Sequence, residues 1–367
     1  MPAPPAPTMK AWRVARHGPP AAALELTDVP LPAPGPGQAR VAVAATVCNF
    51  NEVDGCYGRY LTIDPPLPYT LGMELVGVVD AVGTGAERWL GRRVMACAVG
   101  AHGAHAQHAL IEPAMAFDAP EKLDDVHAAA FYFPFHVGWL ALFERGKLEP
   151  GEWLLVNAAA GGVGSAALQL GVAAGARVIA AAGSEEKLAF CRGLGAEVAL
   201  DYRAPGFAEA VLAATGGRGV DVACDLVGGG ATAALAPLMA RGGRLVMAGF
   251  SGGIGAEDTP GLAPRALLFG NFSLCGVMLA YHPDGTKLGP ANLLPRAVGE
   301  EAQRRLVALL DQGRIRPIVG RVASARELPA ELERLESRAT IGRTVLDWRA
   351  ARAIAQQNQR RRVGSIA

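Results

Sequence analysis

Between Gly151 and Leu279 apolar runs alternate with helix-like runs, and this rhythm constrains the fold more than any other feature. Strand-like "WLLVNA" leads into helix-like "GGVGSAALQLGVAAG". Then come "ARVIAAAG", "EEKLAFCRGLG", "AEVALDY" and "FAEAVLAATGG". "VDVACDLVG", helix-like "TAALAPLMARGG" and "RLVMAGF" continue the series. Repeated βα units predict a doubly wound parallel sheet, and uniformly apolar strands predict burial on both faces. The first third reads differently. "ARVAVAATVC" and "ELVGVVDAVG" are strand-like, while "LPAPGPGQ" and "DPPLPYTLG" are loops, so this part is mostly β. Beyond residue 280, "EEAQRRLVALLDQG" predicts an amphipathic helix, followed by short mixed elements.

The first βα junction reads "VNAAAGGVGSAALQL", Val156 to Leu170. Against the dinucleotide pattern G-x-G-x-x-G, Ala159 replaces the first glycine and Ala160 follows it. Gly161, Gly162, Val163 and Gly164 complete the turn. Gly161 lets backbone approach a pyrophosphate, and Gly164 permits close helix–strand packing. The strand before and the helix after supply the context this motif requires, with helix N–H groups facing the phosphates.

The next strand selects the dinucleotide. An NAD site carries Asp or Glu at that strand's end, to accept from the ribose 2′-OH. Here Ala182 and Gly183 stand there, and Ser184 and Lys187 can meet a 2′-phosphate. Tyr202 and Arg203 flank the adenosine. NADPH is the expected cofactor. Ser184 also suits a helix N-cap, and Glu185 as a displaced ribose acceptor would favour NAD instead.

A net charge of +1 makes no electrostatic case for nucleic acid or a membrane surface. No run of 18 apolar residues is read, so no spanning helix and no membrane partner is expected. Cysteines 48, 56, 97, 191, 224 and 275 form no CxxC pair. Neither a disulfide framework nor a four-cysteine zinc lobe is expected, and reduced thiols suit a cytoplasmic protein. Residues 1–8 read as a disordered lead and 349–367 as a polar, basic tail.

The blocks "VCNFNEVDGCYGRY", "PPLPYTLGMELVGVVDAVG", "AAAGGVGSAALQL" and "ESRATIGRTVL" resemble the medium-chain dehydrogenase/reductase superfamily. Within it they are most similar to the zinc-free quinone oxidoreductase (zeta-crystallin-like) branch. The resemblance implies a GroES-like mostly-β catalytic domain, residues 9–134 and 280–348, interrupted by a Rossmann NADP-binding domain, residues 135–279. It implies Asn49 near nicotinamide and substrate, and Ala160, Gly161, Gly162 and Val163 at the pyrophosphate. Gly183, Ser184, Lys187 and Tyr202 match the adenosine-phosphate site, Gly249 and Phe250 the nicotinamide backbone, and Arg338 the closing motif. The cleft between the domains is the expected active site. "NFSLCGVML", Asn271 to Leu279, matches an edge strand that pairs across a two-fold axis in relatives, implying a homodimer.

Zinc-dependent relatives carry Gly-His-Glu where this chain has Gly72-Met73-Glu74, and a thioether is a poor zinc ligand. His102, His105 and His108 would not converge from one strand. No metal site is expected, and without a Lewis acid reduction suits the chain better than alcohol oxidation. The leading expectation is NADPH-dependent reduction of a quinone or similar conjugated carbonyl, a small-molecule substrate. An enoyl or alkenal double-bond reductase is the alternative. A low-turnover NADPH-binding protein and a zinc alcohol dehydrogenase are further readings. Val137 and Asp54 replace the family's usual threonine and tyrosine in the substrate half. Tyr57, Tyr60, Cys48, Cys56, His136 and bulk water all remain open as proton donors.

Overall fold

The computed structural model describes residues 7–59, 64–252, 261–289 and 291–349. It divides into two compact units, residues 1–132 with 319–367, and residues 133–318. In chain order the first unit carries β1 (Thr8–Val14), α1 (Pro20–Ala23), β2 (Leu24–Pro30), β3 (Ala39–Val47) and α2 (Phe50–Cys56). β4 (Tyr69–Thr70), β5 (Glu74–Val82), β6 (Arg93–Ala98), β7 (His108–Asp118) and α3 (Asp125–Ala129) follow. α4 (Tyr132–Trp139) opens the second unit. Next come β8 (Trp153–Val156), α5 (Gly162–Ala173), β9 (Arg177–Ala182), α6 (Glu185–Gly193), β10 (Val198–Asp201) and α7 (Phe207–Ala214). β11 (Val220–Asp225), α8 (Gly230–Leu235), β12 (Met239–Met247), α9 (Pro264–Gly270) and β13 (Ser273–Gly276) complete its large sheet. β14 (Tyr281–His282), β15 (Thr286–Leu288), β16 (Ala291–Pro295) and α10 (Arg296–Asp311) end it. β17 (Val319–Ser324), α11 (Leu328–Glu336) and β18 (Arg343–Asp347) return to the first unit.

Alternation builds the first unit. In β3 the residues Ala39, Val41 and Val43 are fully buried, while their neighbours are only partly so. Its main sheet runs β17-β18-β3-β5-β6-β7, and β3 also pairs with β7. Strands β3, β5, β6 and β7 therefore close on themselves. β1 is flanked by β2 and β4 in a separate sheet. Thr8, expected in the lead, already pairs with Pro30.

The second unit holds a sheet in the order β10-β9-β8-β11-β12-β13, with every pairing parallel. β8 and β11 are buried along their whole length, as a sheet covered on both faces requires. α5 lies close on this sheet because it is built of small residues. A Cβ on Gly171 would stand 2.5 Å from Leu154 Cδ2.

Three expectations need correction. Residues 280–318 pack with the second unit, not the first. Buried polar contacts hold them there: His136 on α4 meets Tyr281 and Gln303, and Gln169 on α5 bonds both backbone groups of Arg316. The helix expected over "TAALAPLMARGG" stops at Leu235 and tightens into a short 3₁₀ turn holding Pro237. Met239 to Gly243 then belong to β12. Proline removes a donor and ends the helical ladder. Finally, Asp125–Arg145 is long and apolar enough to cross a bilayer by length and composition, and 78% of its apolar window is buried inside the protein.

Candidate active site

Two constellations carry the polar chemistry, one in each unit. In the second unit, β8 ends at Val156 and the chain turns through Ala158, which adopts a φ of 46°. Ala159 N–H donates to Ala181 O and Gly161 N–H to Ala158 O, fixing the turn against β9. Gly164 is required by packing, since a Cβ there would lie 2.2 Å from Ala158 O. Gly161 is open by comparison, its Cβ meeting only Ala158 O, at 3.3 Å. α5 begins at Gly162 with no side-chain cap. The first-turn amides of a helix lack intrahelical partners and carry the positive dipole end. Ala160, Gly161, Gly162 and Val163 thus form a backbone cradle that fits an anionic linkage, as expected from the sequence.

Asp225 braces this turn from the end of β11. Its fully buried carboxylate accepts from Asn157 Nδ2 (2.6 Å), Thr232 Oγ1 (2.5 Å) and the backbone N–H groups of Val227 and Gly228. Asn157 Oδ1 in turn accepts from Leu226 N–H at 2.6 Å. The same loop meets the β12 exit. Phe250 Cδ1 would be 3.2 Å from a Cβ on Gly228, and Leu226 O 3.1 Å from one on Gly249. Neither Asn157 nor Asp225 was singled out from sequence as a site residue. A polar residue closing each of two buried strands was the available signal.

At the end of β9, Gly183, Ser184, Lys187 and Tyr202 come together. Ser184 caps α6 by accepting from Lys187 N–H at 3.4 Å. A Cβ on Gly183 would lie 3.1 Å from the Tyr202 ring and 3.5 Å from Arg203 Cζ, so glycine makes room for both. Glu185, the alternative ribose acceptor, instead pairs with Arg192 at 2.7 Å.

In the first unit a buried polar network runs from Trp348 to Glu74. The Trp348 indole donates to Thr46 Oγ1 (2.9 Å), Thr46 meets His105 Nδ1 (2.9 Å), and His105 Nε2 meets Glu52 Oε2 (3.0 Å). Glu52 also accepts the backbone N–H groups of Asn49 and Met73, both at 3.0 Å. Asn49 Oδ1 accepts from Arg343 Nη1 at 2.9 Å, and Arg343 Nη2 reaches Glu74 Oε1 at 2.6 Å. Burial pushes the Glu52 carboxyl up, but His105 and the two backbone donors outweigh it and hold the group below its usual range. For Glu74 burial wins over Arg343, and its carboxyl is raised. Thr46, His105 and Glu52 follow the order of a nucleophile–base–acid triad. All three have zero exposure, however, and the Thr46 oxygen already accepts a hydrogen bond from the Trp348 indole N–H. They are a structural relay, closed to substrate.

Asn49 is 6% exposed, and its amide is bound to Glu52 and Arg343. It therefore positions its surroundings more than it offers an open donor. Arg343 was missed from sequence, which pointed to Arg338 five residues earlier. Arg338 follows α11 with a φ of 59°, its N–H on Leu335 O. An arginine opening the strand-like run "TVL" was the signal for a paired buried charge.

The donor set around Gly72-Met73-Glu74 does not fit zinc. Met73 sulfur receives Asn51 Nδ2 at 3.6 Å, and Gly72, at φ 105°, has no room for a Cβ beside His105. His102 stands edge-on to Tyr69, His105 turns to Glu52 and His108 to Asp80. Among the described residues no group of three or more His, Cys, Asp or Glu could hold a metal ion. Of the possible proton donors, Cys48 and Cys56 are buried with thiols pushed up by burial, the latter to about 12. Burial holds His136 down at about 4. Burial and Glu336 raise Tyr57, while Tyr60 lies outside the described residues.

Residues 35–121 match the alcohol dehydrogenase GroES-like domain, and 162–289 match the zinc-binding dehydrogenase family. The chain belongs to the medium-chain dehydrogenase/reductase superfamily. It carries a GroES-like unit and a Rossmann unit. A mycobacterial protein solved in complex with NADPH is 27% identical, covering 92% of this chain and 99% of its own, with a TM-score of 0.81. A Pseudomonas syringae quinone oxidoreductase is 28% identical over 92% of this chain and 99% of its own, with a TM-score of 0.80. A mycocerosic acid synthase-like polyketide synthase of Mycobacterium tuberculosis is 37% identical over 209 residues, 57% of this chain. This chain spans only 10% of that synthase's length.

Proposed function

We propose that this chain is an oxidoreductase that reduces a quinone or a similar conjugated carbonyl with NADPH, without zinc. The observation that carries the reading is the uncapped α5 turn, open at Gly161, followed at the end of β9 by Gly183 and basic side chains where an NAD site has an acid. When bound, NADPH supplies the hydride. The chain does the rest. Amides of Gly162 and Val163 hold the pyrophosphate, and Ser184, Lys187 and Tyr202 hold the adenosine phosphate. Gly249 and Phe250 border the nicotinamide, with Asp225 and Asn157 bracing the loop beside them. Asn49, locked by Arg343 and Glu52, positions the substrate side. Cys48, Cys56 and His136 are buried, and in this reading solvent protonates the reduced product. An electron-poor quinone tolerates this.

The polyketide synthase similarity favours a second reading, reduction of an enoyl thioester by the same hydride donor. Stopped-flow oxidation of NADPH with 1,2-naphthoquinone and with a 2-enoyl thioester separates the two. Faster turnover of the quinone is expected, and faster turnover of the thioester would transfer the assignment. Stoichiometric zinc in active enzyme would overturn the metal-free part.

A further inference from the structure

β10 ends beside β9, with Asp201 in register with Ala182. Arg203 then folds back across this edge. Its backbone N–H and Nε donate to Asp201 Oδ1 at 2.9 and 3.1 Å, and its Nη2 donates to Asp201 Oδ2 at 3.1 Å. The same Nη2 donates to the carbonyl of Gly183. One guanidinium therefore bridges the acid of the third strand to the turn that follows the second.

We infer that Arg203 selects the 2′-phosphorylated dinucleotide, and that Asp201 is a counter-charge it keeps masked. The inference rests on the dinucleotide reading above. Asp201 stands one strand away from the place where an NAD site carries its acid, yet within reach of the same glycine. With Arg203 present, its carboxylate is tied up on both oxygens. The guanidinium is fixed over Gly183 by three acceptors, so little side-chain entropy is lost when it meets a phosphate. Lys187 lies on the first turn of α6, its N–H bonded to Ser184 beside the same glycine. With Arg203 removed, the Asp201 carboxylate would face the ribose directly. It would repel a 2′-phosphate and accept from a 2′-hydroxyl, the arrangement of an NAD site. The residue is thus a switch of coenzyme preference and not simply one contact among several.

The test is equilibrium binding of NADPH and NADH, by titration calorimetry, to wild type, Arg203→Ala and Asp201→Asn. Arg203→Ala should weaken NADPH by about tenfold or more and leave NADH equal or tighter, since a charge-assisted hydrogen bond to phosphate is lost. Asp201→Asn should bind NADPH as well as wild type or better. Arg203→Lys, with a thermal melt on every variant, controls for folding, and it should retain part of the NADPH preference. An unchanged NADPH-to-NADH ratio in folded Arg203→Ala, or equal loss of both coenzymes, would overturn the inference. A wild-type protein binding neither coenzyme would instead bring down the dinucleotide reading beneath it.

Discussion

Arg343 joins the amide of Asn49 to the carboxylate of Glu74 with two N–H groups, at 7% exposure. Removing one member of a buried ion pair leaves the other uncompensated. Arg343→Met should therefore cost about 3–5 kcal/mol of stability, read from urea unfolding. Pairing it with Glu74→Leu should recover part of that loss. These contacts could not be read in order along the chain, because Arg343 and Asn49 lie 294 residues apart. Local spacing shows only that an arginine precedes an apolar run. Its partners depend on β18 settling beside β3, which is a fact of the finished sheet.

His136 makes a different prediction at the same scale. Its fully buried imidazole bonds Tyr281 at 3.0 Å and Gln303 at 2.9 Å, and burial lowers it from 6.5 to about 4. The unfolded chain thus binds a proton that the folded chain refuses. Stability falls as pH drops from about 6.5 towards 4, by an amount on the order of 3 kcal/mol in total. His136→Asn should be less stable at pH 7 but lose less between pH 7 and 5, measured by denaturant midpoints. Glu52 acts in a lower window. Its lowered carboxyl adds stability above 4.5 that is lost as pH falls through its folded value, and Glu52→Gln should flatten that acid limb.

At the scale of elements, α5 separates two glycines that look alike in sequence. A Cβ on Gly164 would collide with backbone at 2.2 Å, while one on Gly161 meets a single carbonyl at 3.3 Å. Gly164→Ala should lower the melting temperature and coenzyme affinity together. Gly161→Ala should weaken NADPH about tenfold with little change in melting, because it fills the phosphate side of the turn. Thermal melts and coenzyme titration on both variants check this contrast. The βα order was legible because each buried strand is a short apolar run closed by glycine or a polar residue. The helix of the 280–318 segment was legible, but the unit it joins was not, because that depends on His136 meeting Tyr281 and Gln303 and on Gln169 meeting Arg316. The phosphate turn was legible from a local motif, whereas Asp225 and Asn157 acquire their role only where β8 and β11 lie side by side.

On the scale of the whole molecule, β13 is an edge of the parallel sheet with no strand beyond it among the described residues. Leu274 on it is 41% exposed, with Leu268 and Phe269 on α9 more exposed still. An apolar edge of this kind needs cover, and a second copy in the homodimer that the family resemblance implies would supply it. Light scattering should give twice the chain mass for wild type, and Leu274→Lys should shift it towards one chain. A monomeric wild type would refute the homodimer.

β18 lies inside its sheet, between β17 and β3, although it is the last of the described strands. On a ribosome, residues 133–318 emerge as one uninterrupted stretch and have all their partners early. The unit that encloses them in sequence must wait, its β3 edge bare and the buried Glu74 without its cation, until the last described strand has left the tunnel. Nascent chains stalled before Arg343 should therefore show a protease-resistant middle and a digestible beginning.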